Sequence, residues 1–220
     1  MPAPNNLRIL IADDHEIVRR GLKALLSSRP DWIVCAEAST GRDVVALAEQ
    51  HRPDIVVMDI SMPGLNGLEA TRKIRKVLPK TQVVILSIHY SEQLVREVVD
   101  SGARAYVLKS DASRDLLAAV EAVTSNRPFF TAGATRILID GFCKPASVAQ
   151  APLMRKSLSA REREIVQLLA EGKTSKEIAV VLCISVKTAE THRSNIMRKL
   201  EMHSVSELVR YAVKNHMIEP

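Results

Sequence analysis

Short apolar runs alternate with stretches of helical spacing from residue 7 to residue 125. The runs are RILIA at 8–12, IVCAEA at 33–38, DIVVMD at 54–59, QVVILS at 82–87 and AYVLK at 105–109. Four of them are rich in β-branched residues and nearly continuous in apolar character. Strands buried on both faces read this way, because neither face of the pleat meets water. Between them, Ile17, Val18, Gly21, Leu22, Leu25 and Leu26 share one helical stripe. Leu94, Val95, Val98 and Val99 form a second, and Leu116, Leu117, Val120 and Val123 a third. Five β–α repeats in succession predict an α/β domain, a doubly wound five-stranded parallel sheet with helices on both faces.

After Ser125 this rhythm fails. Pro128, Gly133, Gly141, Pro145 and Pro152 interrupt the chain, so 126–153 reads as a linker, with room for a short helix around 129–142. From Leu158 onward only helical spacing remains. Ser159-x-x-Glu162, Thr174-x-x-Glu177 and Ser204-x-x-Glu207 match the capping-box pattern, and Gly172 stands where the first helix should stop. Helices are expected at 160–171, 175–182, 186–200 and 205–215, which makes 154–219 a small all-α domain of four helices.

Composition adds a little. With 46% hydrophobic and 25% charged residues the chain can build real cores, which argues against global disorder. The net charge of +6 is uneven. Residues 1–125 carry 16 lysines and arginines against 16 acidic residues, whereas 154–220 carry 12 against 8. A basic helical module beside a neutral domain suggests a polyanion partner, most simply nucleic acid. Cys35, Cys143 and Cys183 lack metal-ligand spacing and read as reduced thiols. The first apolar run meets Asp13 and Asp14 almost at once, unlike a signal peptide. No segment reaches the ~18–20 apolar residues of a transmembrane helix. The expectation is a soluble, cytoplasmic protein with no membrane partner.

Candidate chemistry gathers where strands end, the place where doubly wound sheets hold ligands. Asp13 and Asp14 end the first predicted strand, Asp59 the third, Ser87 the fourth and Lys109 the fifth. Three neighbouring carboxylates repel one another and call for a cation. Oxygen-only ligation favours Mg2+. One accessible carboxylate can then attack a phosphoryl group and form an acyl phosphate. A metal and a lysine ammonium would neutralise the phosphoryl oxygens.

The segments ILIADDH (9–15), VVMDISMPGLNG (56–67), VVILS (83–87) and GARAYVLK (102–109) resemble the receiver domain of response regulators, and the resemblance spans 7–125. It implies a flavodoxin-like fold with Asp59 as phosphoacceptor. It also implies Mg2+ ligation by Asp14, Asp59 and the backbone carbonyl of Ser61, with Asp13 acting through a water. Ser87 and Lys109 would meet phosphoryl oxygens, and Tyr106 would turn inward as Ser87 moves toward the phosphate. Ser110 stands where many receivers have proline. Pro63 and Gly67 read as loop geometry. His15, His51 and His89 read as surface residues, with His15 and His89 placed to lie near the acidic site.

The tail from Leu158 to Ala212 resembles the LuxR-type DNA-binding domain over its whole length, which makes the chain similar to NarL/FixJ-class regulators. The helix-turn-helix falls at 175–194, and the recognition helix at 186–200 would enter the major groove. Ile178, Ala179 and Leu182 should pack on Ile196 and Leu200. Lys187, Thr188, Glu190, Thr191 and Ser194 fall on its exposed side, with Glu190 able to accept from cytosine N4. Arg193, Arg198 and Lys199 are assigned to phosphates. Ala189 stands where the family usually has valine. On the fourth helix, Val205, Leu208, Val209 and Ala212 share a side. Part of that stripe must close the core, and the resemblance implies that the rest pairs two subunits on an inverted repeat.

Two enzymatic readings fail on particular residues. A phosphohydrolase with Asp59 as nucleophile needs a second acid two positions on, where Ser61 stands. A phosphate loop at Gly172-Lys173-Thr174 needs glycine five residues earlier, where Gln167 stands. A regulator whose receiver works without phosphate is disfavoured by the complete acidic set. The expected function is a DNA-binding transcriptional regulator controlled by a histidine kinase, homodimeric when active, rather than an enzyme.

Overall fold

The computed structural model describes residues 6–131, 133–136 and 158–218, which fall into two compact units, Met1–Cys143 and Lys144–Pro220. In the first unit the chain runs β1 (Leu7–Ala12), α1 (Glu16–Leu26), β2 (Trp32–Ala38), α2 (Gly41–His51), β3 (Ile55–Asp59) and α3 (Gly67–Val77). It continues through β4 (Gln82–Ser87), α4 (Glu92–Asp100), β5 (Ala105–Leu108), a 3-10 turn (Lys109–Asp111), α5 (Ala112–Thr124) and β6 (Phe129–Phe130). The sheet order is β2-β1-β3-β4-β5-β6, with every neighbouring pair parallel.

Strand alternation sorts the core into two layers, since successive side chains leave opposite faces of a strand. Ile9, Ile11, Val57 and Leu86 enter one layer with Leu22 and Leu26 of α1 and Leu116 and Val120 of α5. Leu10, Met58, Ile85 and Tyr106 enter the other, with Val44 of α2, Ile74 of α3 and Leu94 and Val98 of α4. Each fully buried side chain of this size contributes roughly 1.5–3 kcal/mol. The helices on the second layer start at side-chain caps: Thr40, Asn66 and Ser91 accept from the amides of Asp43, Glu69 and Leu94.

The structure departs from the five-strand expectation by a sixth strand. Phe129 and Phe130 pair with Ala105 and Tyr106, and the amide of Phe129 donates to the Arg104 carbonyl at 3.0 Å. Phe129 packs on one core layer and Phe130 on the other. Two residues are too short to show a period, so only pairing along the β5 edge makes them a strand. The segment expected to begin a linker at 126 thus starts inside the sheet. Residues 133–136 are helical and bury Ala134 in the second layer, while 137–153 lie outside the described residues. On α1 the apolar stripe is narrower than expected. Ile17 is 86% exposed, and Leu22 and Leu26 carry the packing.

The second unit consists, among the described residues, of α6 (Ala160–Ala170), α7 (Ser175–Leu182), α8 (Val186–Lys199) and α9 (Val205–Lys214). Ser159 and Thr174 close reciprocal capping boxes with Glu162 and Glu177. The third expected box is only half made. Ser204 accepts from the Glu207 amide, but the Glu207 carboxylate turns one residue further back, to the His203 amide at 2.8 Å. Cys183 takes the left-handed conformation (φ 52) that ends α7 and opens the tight turn into α8. Ile165, Leu168, Ile178, Leu182, Ile196 and Leu208 share one core, with Leu200 packed against it. Ala189 is buried in the same core. No helix among the described residues is long and apolar enough to cross a membrane.

Candidate functional site

Because all strands are parallel, their C-terminal ends meet at one edge. The connection out of β1 runs to β2 on one side and that out of β3 runs to β4 on the other, so the crevice above β1 and β3 is the switch point of the sheet. Asp13 and Asp14 follow β1, Asp59 ends β3, Ser87 ends β4 and Lys109 follows β5. Asp13 and Asp59 are buried, and Asp14 stands at the rim with a third of its side chain exposed.

Lys109 reaches across two strands to both buried acids. Its Nζ lies 2.8 Å from Asp13 Oδ2 and 2.9 Å from Asp59 Oδ2. One ammonium is thus shared between two buried carboxylates. Two buried negative charges set against one positive charge are costly. Burial above all pushes the Asp59 carboxyl up to about 6. Lys109 opposes that shift, and the charges of Asp13 and Asp14 add to it. Burial works against the Lys109 ammonium too, but Asp59 and Asp13 outweigh it and raise its pKa. An additional positive charge would relieve this imbalance, and the donor set is rich in oxygen.

His15 is an exposed residue that lies beside this site, where the sequence places it. Its Nδ1 lies 2.7 Å from Asp14 Oδ1 and 3.5 Å from Asp13 Oδ1, and its amide donates to Asp13 Oδ1 at 2.9 Å. Asp13, Asp14 and His15 thus form a group able to hold a metal ion. Arg19 donates to the backbone carbonyls of Asp13 and Asp14 and holds the loop in shape. Sequence reasoning missed Arg19, because its contact depends on how α1 turns back over the loop.

Gly67, read from sequence as loop geometry, is where α3 leaves the crevice. A Cβ there would lie 2.0 Å from the backbone oxygen of Asp59. Gly67→Ala is expected to shift the end of β3, costing about 1–3 kcal/mol as overpacking does. A thermal melt should show the loss; an unchanged melting temperature would contradict so close an approach.

Ser87 and Tyr106 converge on a single residue. Ser87 Oγ accepts from the His89 amide at 3.0 Å, and the buried Tyr106 hydroxyl donates to the His89 carbonyl. Burial pushes the Tyr106 phenol up to about 12. Tyr106 therefore points inward, and the β4–α4 turn is held from both sides. The helix that follows β4 is capped by Ser91, not by Ser87. Ser61, two residues past Asp59, is half-buried in the β3–α3 loop, and the Lys109–Ser110 peptide is trans.

In the second unit, Lys187, Thr188, Glu190, Thr191, Arg193, Ser194 and Arg198 are all exposed on α8. Lys199 is not. Its Nζ lies 2.8 Å from Glu162 Oε2, which sets it apart from the other residues assigned to phosphates. On α9, Leu208 and Ala212 close the core, while Val205 is exposed and Val209 half-buried.

Residues 9–121 match the response regulator receiver domain, and residues 156–212 match the bacterial regulatory proteins of the luxR family. The oxygen regulatory protein NreC of Staphylococcus epidermidis is 38% identical over 217 residues, covering 97% of this chain and 100% of that protein. The transcriptional regulatory protein LiaR of Bacillus subtilis is 36% identical over 212 residues, covering 96% and 99%. Among solved structures, the complex of the two-component response regulator RcsB with DNA matches with a TM-score of 0.58 at 26% identity, over 96% of this chain and 99% of that one. With a receiver crevice in one unit and a helix-turn-helix in the other, the chain belongs to the two-component response regulators that carry a LuxR-type DNA-binding domain.

Proposed function

We propose that Asp59 accepts a phosphoryl group from a histidine kinase, and that this modification controls DNA binding by the helical domain. One observation carries the reading: two buried carboxylates, Asp13 and Asp59, share a single lysine ammonium, which leaves an uncompensated negative charge in the crevice. Asp14, Asp59 and the backbone carbonyl of Ser61 would hold Mg2+, with Asp13 behind them. When bound, the ion supplies positive charge to the phosphoryl oxygens. The Asp59 carboxylate attacks phosphorus, the bond from phosphorus to the kinase imidazole breaks, and the imidazole keeps the electron pair. Lys109 turns from Asp59 toward the new phosphoryl group. Ser87 gives up the His89 amide to donate its hydroxyl to a phosphoryl oxygen, and Tyr106 holds the turn in its new place. The phosphoryl group biases the protein only through such contacts, made in one state and not the other.

Under this reading the protein works in the cytoplasm, and α8 lies in the major groove of double-stranded DNA. Lys187, Thr188, Glu190, Thr191 and Ser194 face base edges, and Arg193 and Arg198 face phosphates. The exposed side of α9 pairs two subunits on an inverted repeat. RcsB, of the same domain order, is described in complex with DNA. The test is selection of duplexes from a randomised library, with and without Mg2+ and a small-molecule phosphodonor. The expected result is a two-fold-symmetric site whose enrichment rises with phosphodonor. Equal enrichment in both arms would overturn the switch, and no enrichment in either would overturn the DNA reading.

A further inference from the structure

The first turn of α6 grips both helices of the helix-turn-helix. Arg161 donates to the carbonyl of Leu182, the last residue of α7, at 2.9 Å, and is itself held by the buried Glu164 at 3.1 Å. The next residue, Glu162, pairs through Oε2 with Nζ of Lys199, the last residue of α8, at 2.8 Å. The same oxygen accepts from the Ser159 amide at 2.7 Å, so the carboxylate is fixed by the capping box before Lys199 reaches it. The pair is shielded: Glu162 is 16% and Lys199 32% exposed. The Lys199 hydrogen bond is also the main reason the Glu162 carboxyl sits below its usual range.

Helical spacing separates Lys199 from the exposed residues of α8. Lys187, Thr191, Ser194 and Arg198 recur at spacings of three and four along one side. Lys199 lies three residues beyond the fully buried Ile196, on the flank turned to α6. To reach a phosphate it would have to break a charge-assisted hydrogen bond. It would also leave the Glu162 carboxylate unpaired beside a polyanion.

We infer that Glu162 and Lys199 are positioning residues, which set the angle of the recognition helix by locking its C-terminal end to α6, and that Lys199 makes no phosphate contact. The inference rests on the DNA-binding reading above. A lysine already neutralised by the protein releases no counterion from DNA. The salt dependence of binding therefore separates the two roles.

The experiment uses the full chain, treated with phosphodonor and Mg2+, with the library-selected duplex and a scrambled duplex between 50 and 200 mM salt. Arg193→Gln is the phosphate-contact control and should flatten the slope of log K against log salt by about one. Lys199→Gln is expected to leave that slope at the wild-type value. Its affinity for the selected duplex should fall about tenfold, and for the scrambled duplex by less than threefold. A domain that merely unfolded in part would lose both affinities by the same factor, so the selected-to-scrambled ratio reports the pose of the helix. Glu162→Gln should reproduce the Lys199→Gln profile, the double variant should lose no more than either, and Lys199→Arg should restore the ratio. A slope flattened by about one in Lys199→Gln, or unchanged or tighter binding by Glu162→Gln, overturns the inference. An equal loss on both duplexes overturns it too. Failure of the wild type to prefer the selected duplex overturns the DNA-binding reading itself.

Discussion

Asp59→Asn protein, incubated with Mg2+ and a small-molecule phosphodonor, is expected to gain no phosphoryl mass, while the wild type gains one group per chain. The substitution keeps the shape of the side chain and removes the nucleophilic oxygen pair. Uptake at wild-type stoichiometry would falsify the assignment of Asp59.

The same substitution has an opposite effect on stability. The Asp59 carboxyl is raised from 3.8 to about 6, chiefly by burial, so the folded protein binds this proton more tightly than the unfolded chain. The contribution of Asp59 is then most favourable below pH 3.8 and declines as pH rises to about 6. Above that it stays at its minimum. A shift of this size corresponds to up to about 3 kcal/mol. In chelator-containing buffer at pH 7, Asp59→Asn should therefore melt higher than the wild type, and the gap should close toward pH 4. Added Mg2+ should raise the wild type and leave the variant nearly unmoved. A variant less stable than the wild type at pH 7 would mean that Lys109 outweighs the burial of the charge.

The second large effect is expected from Ile196→Ala. Ile196 is fully buried on the inner side of α8, in the core it shares with Ile178, Leu182 and Leu208. Truncating such a side chain costs about 2–4 kcal/mol, from lost transfer energy and the cavity left behind. A domain of this size holds roughly 3–9 kcal/mol in all. The helical domain should therefore melt on the order of 10–20 °C lower. DNA binding should largely disappear at 37 °C, while phosphoryl uptake at Asp59 stays at the wild-type level, because the acidic crevice lies in the other compact unit. A drop of less than about 4 °C would mean that Ile196 is not packed as described.

What was legible in the chain followed local rules. The five apolar runs became β1 to β5 within a residue or so at each end. For β1, β3, β4 and β5 the reason is that a strand buried on both faces shows its burial in composition alone, whereas β2 at the sheet edge is only partly buried. The helix-turn-helix was equally plain, since Ser159 and Thr174 announce helix starts through neighbours three residues away. Order along the chain also placed Asp13, Asp14, Asp59, Ser87 and Lys109 at one edge. In a parallel sheet every strand ends on the same side, so this placement follows from topology.

Tertiary structure decided the features that depend on distant neighbours. The apolar stripe of α1 overstated its burial, because no local pattern says that nothing packs on Ile17. Phe129 and Phe130 became a strand only because β5 offered a free edge. Lys199 looked like its basic neighbours Arg193 and Arg198 until α6 brought Glu162 against it, thirty-seven residues away in sequence. The rise in the Asp59 carboxyl likewise arises from burial and from the charges of Asp13 and Asp14 after β1, against the opposing charge of Lys109 after β5, and these groups meet only once the sheet is assembled. Periodicity and capping are interactions of a few residues with themselves and can be read from order alone. Ion pairing, desolvation and edge pairing depend on distances that only the folded chain establishes.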